Sequence, residues 1–439
     1  MKIIKRIFLF ILLVFLLTLV INYPKLNIVS GYAAKNMSTS FFLCDRTEQF
    51  TNATDLNFSP INLATTKVNS DEQYATASTF GLLTRRAIYR EGLGSVLLTK
   101  DIDTQKKQLT PERSFSNDSV AYPFGNAPQK KRVFENINQN QLQKALTAVF
   151  KEENETRAVL VIYKNQIIAE QYAKGFTKES RILGWSMTKS VLSTVYGIMQ
   201  CQGKILVNDR APISQWKTDE RKEITIHNLL QMNSGLEWDE DYNSISDVTR
   251  MLFLETDMTT TQQNKPLVGK PGFSWNYSSG VTNLLSGVLR NKLGSQQEYL
   301  NYWYRELIDK IGMNSMLIET DMMGHYVASS YAWATPRDWA KLGLLYLHRG
   351  SWNGTQIFAP EWVDYITEPS PRSKGTYGAH FWLNANGDLK DVPKNMFYAN
   401  GYQGQSVYIL PNQEMVVVRF GLKDYNRNTF LKEIIKSIN

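Results

Sequence analysis

Two apolar, β-branched segments at opposite ends of one region constrain the fold of this chain most strongly. Residues 158–172 form two such runs around a polar turn at Lys164 and Asn165, which is typical of a β-hairpin. Residues 406–420 repeat the pattern near the C-terminus. The sequence therefore predicts antiparallel strands at both ends of a domain that spans residues 136–439.

The segment between the two hairpins has helical periodicity over much of its length. It predicts helices at residues 226–232, 281–293, 298–311 and 337–348, and a last amphipathic helix is predicted at 429–438. Together these patterns predict an α+β fold. An antiparallel β-sheet formed from the N- and C-terminal parts of the domain is flanked by helices and carries a mainly helical insertion.

Residues 1–24 predict a signal peptide or a membrane anchor. Basic residues at positions 2, 5 and 6 precede an apolar run at 7–21, which is the pattern of an export signal or of an uncleaved anchor. The run is shorter than the roughly 20 residues of a relaxed spanning helix, and small residues at 31–34 offer a distant cleavage site. We expect an extracytoplasmic protein, periplasmic or at the cell surface, that is anchored by residues 7–21. Secretion after cleavage is the alternative.

Residues 25–135 have weaker periodicity and many polar side chains. The segments 82–89 and 92–98 within them are apolar enough to be ordered. We interpret this region as an N-terminal extension that packs on the main domain.

Composition is that of an ordinary globular protein, with 43% hydrophobic and 21% charged residues. The 49 Lys and Arg residues exceed the 41 Asp and Glu residues, which gives a net charge of +8. The basic residues form no dense block that could track a nucleic-acid backbone, so nucleic acid is not expected as a partner. The mild basic excess is compatible with anionic membrane or cell-wall material.

Histidine and cysteine spacing indicates neither a metal nor a cofactor. The four histidines are scattered, without the paired spacing of a zinc site, and no C-x-x-C motif is present. Cys44 and Cys201 could form a disulfide in an exported protein, but two buried free thiols explain them equally well. We therefore predict that the protein uses no metal and no cofactor.

Ser186 and Lys189 begin an apolar run, extending to Met199, that is long enough for a buried helix. Residues three apart share a helix face, so the lysine amine can reach the serine hydroxyl and activate it. The start of a helix also offers backbone N–H groups for an oxyanion. An N-cap serine beside a solvent-exposed lysine would give the same pattern. A second match, at Ser214 and Lys217, lies in a polar connection and is interpreted as a solvated loop.

Two later motifs add groups that an activated serine needs. Tyr277 lies in a turn at 271–279, and a nearby lysine would favour its phenolate, which could then act as a general base. The segment 398–405 places Gly401 and Gly404 just before the second hairpin, where a substrate can lie close to the backbone. A packed aromatic residue and a simple β-turn are the alternatives for these two motifs.

The order of these motifs resembles that of the serine β-lactamase and penicillin-binding superfamily, above all its class C-like esterase and amidase branch. Further similarities at 224–236, 334–343 and 350–354 follow in the same order, so the resemblance covers roughly residues 140–439. It implies a β-lactamase/transpeptidase-like fold and a serine hydrolase domain at 136–439.

Carried over position by position, the resemblance implies that Ser186 is the acylated nucleophile and Lys189 its activating amine. It implies that Tyr277 is the base and proton relay. It also implies an oxyanion hole formed by the backbone N–H groups of Ser186 and Tyr402.

The chain departs from the penicillin-recognising members of the superfamily. Those members carry Asn at the third position of the tyrosine motif and Lys-Thr-Gly or His-x-Gly on the strand. In this chain Ser279 occupies the position of that Asn, and the strand motif is replaced by Ala399, Asn400 and Gly401. The cation that would bind a β-lactam carboxylate is missing, so we expect an ester or amide substrate without that carboxylate.

Five residues are predicted to line the substrate cleft: Ser279, Asn400, Gly401, Gly404 and Tyr242. For Tyr242 an acidic surface loop is the alternative, because three acidic residues lie close to it in the chain.

These observations predict a serine hydrolase that cleaves a small-molecule amide or ester through an acyl-enzyme on Ser186. A D-alanyl-D-alanine peptidase, a penicillin-binding protein or a weak β-lactamase is the second candidate, favoured by the export pattern and disfavoured by the missing Lys-Thr-Gly. A catalytically silent ligand-binding or sensor module is the third, against which the intact Ser186, Lys189 and Tyr277 count. The sequence indicates no oligomeric state.

Overall fold

The computed structural model describes residues 2–100, 108–115, 119–130 and 132–438. They form two compact units. The first unit comprises Met1–Lys106, Asp239–Asp257 and Asp321–Met323, and the second comprises Lys107–Trp238, Met258–Thr320 and Gly324–Asn439. The domain limits predicted at residues 24 and 135 stay a prediction.

The fold is α+β, as predicted. In the described part of the chain the α-helices are α1 Lys2–Phe42, α2 Glu48–Ala53, α3 Gln139–Val149, α4 Thr188–Cys201, α5 Ile226–Leu230, α6 Asp247–Leu254, α7 Thr260–Gln263, α8 Ser279–Leu293, α9 Gln296–Trp303, α10 Pro336–Leu347, α11 Glu361–Thr367 and α12 Arg427–Ile435. A π-helical turn at Tyr304–Ile308 extends α9.

The strands of the same described residues are β1 Ala64–Asn69, β2 Tyr74–Thr79, β3 Leu82–Arg90, β4 Gly94–Leu97, β5 Thr156–Tyr163, β6 Gln166–Tyr172, β7 Ile182–Leu183, β8 Leu317–Ile318, β9 Ala332–Ala334, β10 Ser351–Trp352, β11 Thr355–Gln356, β12 Trp382–Leu383, β13 Phe397–Gly401, β14 Gln405–Leu410 and β15 Met415–Gly421. Both predicted hairpins are present, as β5–β6 and β14–β15.

The first unit contains a four-stranded antiparallel sheet, in the order β1-β2-β3-β4, on which the second half of α1 packs, and helix α6 packs against α1. Ala33, Ala34 and Met37 of α1 are fully buried there. Ser30 Oγ lies 2.9 Å from Thr79 Oγ1 at the end of β2. The second half of α1 is therefore part of the core of this unit.

The first half of α1 is different, because its described apolar side chains between Ile3 and Val20 are exposed. Within the described residues, we find no helix with both the length and the apolar character that crossing a membrane requires. The anchor predicted at residues 7–21 stays a prediction.

The second unit is built around a six-stranded antiparallel sheet in the order β12-β13-β14-β15-β5-β6. Strand β15 pairs with β5, so that Met415 lies opposite Tyr163 and Val417 opposite Val161. The C-terminal hairpin is thereby joined to the N-terminal one. The two ends of the domain thus form one sheet, as the sequence predicts.

Helices cover both faces of this sheet. On one face α3 and α12 contribute Leu146 and Leu431 to a core that includes Val161 and Val417. On the other face α10 packs closely against β14 and β15, because Gly343 leaves no side chain between the helix backbone and the two strands. Successive side chains of each strand point to opposite faces of the sheet, so each face carries its own apolar layer.

Both cysteines are free thiols. Cys201 is exposed and Cys44 is partly exposed. The structure therefore contains no disulfide between them, and the prediction of buried thiols is wrong, because Cys201 is the last residue of α4 and lies beyond its buried stretch.

Candidate active site

Ser186 lies in a tight backbone turn that leads directly into α4. Residues Trp185–Met187 form a 3-10 turn, and α4 begins at Thr188. Trp185 has a φ of +48°, a left-handed conformation that a bulky residue rarely adopts. Gly184 lies against the indole of Trp339, where any Cβ would collide with the ring. The packing around Ser186 thus enforces one strained backbone conformation.

The amine of Lys189 is buried beside the hydroxyl of Ser186. Lys189 is 1% exposed, and its Nζ donates hydrogen bonds to Ser186 Oγ at 3.0 Å, to Ser279 Oγ at 2.9 Å and to the Ser329 carbonyl at 2.9 Å. An ammonium group has three N–H donors, so these three acceptors match it. The alternative of a solvent-exposed lysine beside an N-cap serine does not fit this burial.

Helix α8 positions the other two acceptors of the amine, one as its own residue and one through a hydrogen bond. Ser279 is its first residue, and Ser278 caps the helix by accepting a hydrogen bond from the Val281 N–H at 3.0 Å. The Ser329 N–H donates to Asn283 Oδ1 at 3.0 Å, which orients the loop that presents the Ser329 carbonyl. The position of the Lys189 amine therefore depends on α8 as much as on α4.

Tyr277 also lies at this amine. Its ring centroid is 4.9 Å from Lys189 Nζ, and the ring packs against Tyr377 and Trp382 at centroid distances of 5.6 and 5.4 Å. The tyrosine is half-buried. The structure thus brings Tyr277 to Ser186 and Lys189 from a separate part of the chain, with an aromatic wall on one side.

Strand β13 runs directly past the turn of Ser186. A Cβ at Gly401 would collide with the Gly184 carbonyl, so this position requires glycine. The ring of Tyr402 meets the Trp185 ring edge-on at 5.7 Å. The two segments that carry the predicted oxyanion donors, Ser186 and Tyr402, are therefore neighbours. Ser186 lies in a first helical turn, where backbone N–H groups have no intrahelical acceptor.

Asn400 and Gly404, two of the predicted cleft residues, have close neighbours on the strand and in the C-terminal part of the chain. Asn400 Oδ1 accepts hydrogen bonds from Ser406 Oγ and Arg427 Nη2, both at 3.2 Å. Neighbouring residues of a strand face opposite sides, so the Asn400 side chain points away from the face that Gly401 presents to Gly184. A Cβ at Gly404 would lie 2.7 Å from Arg419 Nη1. Their assignment to the cleft stays a prediction.

Tyr242, the last predicted cleft residue, belongs to the first unit. Its hydroxyl donates to Glu240 Oε1 at 3.4 Å within the acidic loop. Its assignment to the cleft stays a prediction.

His380 is a buried neighbour of the site that no sequence pattern predicts. Its Nδ1 lies 2.7 Å from the Leu230 carbonyl and its Nε2 lies 3.0 Å from Thr282 Oγ1. Burial lowers the pKa of His380 to about 3, and the positive charge of Lys189 acts in the same direction. The imidazole is therefore neutral at ordinary pH. No local motif marks this histidine, because its partners are a carbonyl and a hydroxyl distant in sequence.

The groups around Ser186 are hydroxyls, an amine, a peptide carbonyl and aromatic rings. They are suited to moving a proton and to packing an organic substrate. They are not the imidazole, thiolate and carboxylate ligands that transition metals prefer.

Comparison with known proteins finds a family match for this chain. Residues 146–433, more than half of the chain, match the family model described as Beta-lactamase. The 6-aminohexanoate-dimer hydrolase of Paenarthrobacter ureafaciens is 22% identical over 297 residues, covering 61% of this chain and 73% of that protein.

Solved structures share the fold. The "Putative 6-aminohexanoate-dimer hydrolase from Bacillus anthracis" has a TM-score of 0.58 at 20% identity, covering 75% of this chain and 89% of that one. A family VIII carboxylesterase has a TM-score of 0.53 at 15% identity, covering 68% and 96%.

Proposed function

This chain belongs to the beta-lactamase family of hydrolases, and from that premise we propose that it cleaves a small amide or ester through an acyl-enzyme on Ser186. The observation that carries the proposal is the buried Lys189 amine, 3.0 Å from Ser186 Oγ. A serine hydroxyl is a weak nucleophile by itself, and a base at hydrogen-bond distance activates it.

In the first half of the proposed reaction, Ser186 Oγ attacks the substrate carbonyl carbon. Its proton passes to the pair formed by Lys189 and Tyr277, and the negative charge on the carbonyl oxygen is stabilised by the N–H groups of Ser186 and Tyr402. The pair then gives the proton to the leaving amine or alcohol as the bond breaks. In the second half, water attacks the acyl carbon and gives a proton to the same pair, which returns it to Ser186 Oγ as the ester bond breaks and the acid leaves.

The aromatic side chains beside Lys189 support an acyl group with an apolar chain. The aromatic wall of Tyr277, Tyr377 and Trp382 offers apolar surface. Ala399 stands where penicillin-recognising relatives carry a cation. The name of the Paenarthrobacter ureafaciens relative makes the 6-aminohexanoate dimer a natural amide to test, and the carboxylesterase makes simple esters the natural counterpart.

Kinetics of paired variants test this proposal. Ser186→Ala is expected to abolish hydrolysis, and Lys189→Met to lower kcat about 100- to 10,000-fold, because it removes the amine of the pair that accepts the serine proton. The second Ser-x-x-Lys match provides matched controls, Ser214→Ala and Lys217→Met, since it lies in a 3-10 turn and Lys217 is exposed. Full activity of Ser186→Ala, or equal losses in the control pair, would contradict the proposal.

A penicillin-binding protein or D-alanyl-D-alanine peptidase is the main competitor. Stable labelling of Ser186 by a fluorescent penicillin, with no turnover of esters or amides, would favour it. Failure of every acylating probe would instead favour a ligand-binding module.

We further propose that α1 is retained in the mature protein and holds it at a membrane outside the cytoplasm. Basic residues at positions 2, 5 and 6 precede exposed apolar side chains in the first half of the helix, and apolar surface of this kind favours lipid. Ala33 and Ala34 are fully buried in the first unit. Cleavage near residues 31–34 would cut through that core, which supports an uncleaved segment.

A further inference from the structure

The turn that carries Tyr402 needs support from outside itself. Residues Tyr402–Gly404 form a single 3-10 turn between β13 and β14. Gln403 and Gly404 both have left-handed backbone conformations, with φ of +61° and +77°. A non-glycine residue in this region persists only where the surrounding structure enforces it.

The side chain of Gln405, the first residue of β14, provides part of this support. It is 2% exposed. Its Nε2 donates to the Tyr402 carbonyl at 2.9 Å and to the Gly421 carbonyl at 2.6 Å, while its Oε1 accepts from the Gly421 N–H at 3.0 Å. One buried amide therefore ties the peptide that follows Tyr402 to the end of β15.

Arg419 of β15 holds the rest of the turn. Its side chain is fully buried, and Nη1 donates to the carbonyls of Gln403 and Gly404, each at 3.2 Å. The other side of the guanidinium donates to Thr156 Oγ1 at 3.0 and 3.2 Å and to the Asn154 carbonyl at 2.6 Å. Burial lowers the pKa of Arg419. A buried charge is costly unless its donors are bonded, and here neutral oxygens bond them.

The chain leaves space for this guanidinium at two glycines. A Cβ at Gly404 would lie 2.7 Å from Arg419 Nη1, and a Cβ at Gly421 would also collide with the guanidinium. A side chain at either position would push Arg419 off the carbonyls of the turn.

We infer that Gln405 and Arg419 are positioning residues that orient the Tyr402 N–H as an oxyanion donor, an inference that rests on the proposed function. Together they bond the three peptide units that follow Tyr402. Gly401, on the other side, is paired with Gln405 and pressed against Gly184. The donor is thus oriented by the sheet before substrate binds, which is the condition under which such donors are effective.

The decisive variant is Gln405→Glu. It keeps the size of the side chain but replaces the N–H donors with an oxygen that faces the Tyr402 and Gly421 carbonyls. We expect kcat for an ester to fall about 10- to 100-fold, somewhat less than complete loss of one oxyanion donor, with KM nearly unchanged. In the corresponding thionoester, sulfur replaces the carbonyl oxygen and is stabilised less by these donors. The kcat for the thionoester should therefore fall much less. The ester-to-thionoester ratio of kcat should therefore fall.

Gln129→Glu is the matched control. Gln129 Nε2 donates to the carbonyls of Tyr122 and Asn165 at 2.7 and 2.6 Å, and its Oε1 accepts from the Ile167 N–H at 3.0 Å, at the β5–β6 hairpin. This hydrogen-bonding pattern matches that of Gln405. Gln129→Glu should therefore lower the free energy of unfolding without changing the ester-to-thionoester ratio of kcat.

Two further variants keep the test decisive if Gln405→Glu does not fold. Gln405→Met fills similar volume without donors, and Arg419→Lys keeps the charge but loses the planar fork; both should lower the ratio. An unchanged ratio in any folded variant of Gln405, or an equal fall in Gln129→Glu, overturns the inference. Turnover by Ser186→Ala would instead overturn the proposed function on which it rests.

Discussion

At the scale of single residues, the site is a buried amine whose hydrogen bonds are shared among three parts of the chain. Lys189 donates to Ser186, to Ser279 and to the Ser329 carbonyl. Ser279 stands where penicillin-recognising relatives carry Asn, and it serves the amine directly. Ser279 therefore acts on Lys189 through its hydroxyl oxygen.

Ser279→Ala tests this support. Removing a hydrogen-bond acceptor from a buried charged group costs about 1–3 kcal/mol, so we expect kcat/KM for an ester to fall about 10-fold or more. The comparison is Ser295→Ala, which removes the N-cap of α9 and should lower stability while leaving kcat/KM near that of the wild type. Wild-type kcat/KM in Ser279→Ala would show that the amine does not depend on Ser279.

His380 makes the stability of the fold depend on pH. The unfolded histidine binds a proton near pH 6.5, whereas the folded one does so only near pH 3. Between these values only the unfolded state is protonated, so the free energy of unfolding falls as the pH drops from 6.5 towards 3. This histidine alone should remove about 2 kcal/mol between pH 7 and pH 5.

Urea unfolding at the two pH values, for wild type and His380→Gln, measures this contribution. The variant should be less stable at pH 7 because two buried hydrogen bonds change, but its loss on acidification should be smaller by about 2 kcal/mol. An identical acid dependence in the two proteins would show that His380 is not the group that titrates.

At the scale of elements, the sequence predicts what is local and misses what depends on packing. The β5–β6 hairpin could be predicted because its apolar strands flank the turn at Lys164 and Asn165, which adopts left-handed backbone. Strands β1 and β2 were not predicted, since their buried residues include Ala75 and Ala77, which carry little hydrophobic signal. They are strands because α1 covers them.

Several features of the candidate site follow the same rule. Ser186 and Lys189 share a turn, so spacing alone brings them into contact. The Ser329 carbonyl has no sequence signal, because every residue has a backbone carbonyl. The side chain of Asn400 lies on the other face of β13 from Gly401 because of strand alternation, and residue type alone does not indicate the face.

Gly401→Ala tests the close approach of β13 to the turn of Ser186. The new Cβ would collide with the Gly184 carbonyl, so the strand must move away and carry Tyr402 with it. We expect kcat to fall about 100-fold or more and the free energy of unfolding to fall by about 1–3 kcal/mol. Gly203→Ala, at an exposed position where a Cβ meets no other atom, should change kcat little. Normal kcat in Gly401→Ala would contradict the proposed geometry.

At the scale of the whole molecule, one chain combines a family hydrolase fold with an N-terminal helix that has two different halves. The second half of α1 is core and the first half is exposed apolar surface. We predict that a variant lacking residues 2–22 is released from the membrane fraction and still hydrolyses a soluble ester at the wild-type rate, because the catalytic groups lie in the second unit. Equal partitioning of the full and shortened proteins would contradict membrane attachment through α1.

Mass spectrometry of the intact protein, mixed with activated esters, amides and β-lactams and quenched within the first turnover, tests the central claim most directly. The account predicts a mass increase equal to one acyl group, located by peptide mapping on Ser186, present with esters or amides and absent in Ser186→Ala. Acylation of another residue, or turnover of substrate by Ser186→Ala, would contradict it.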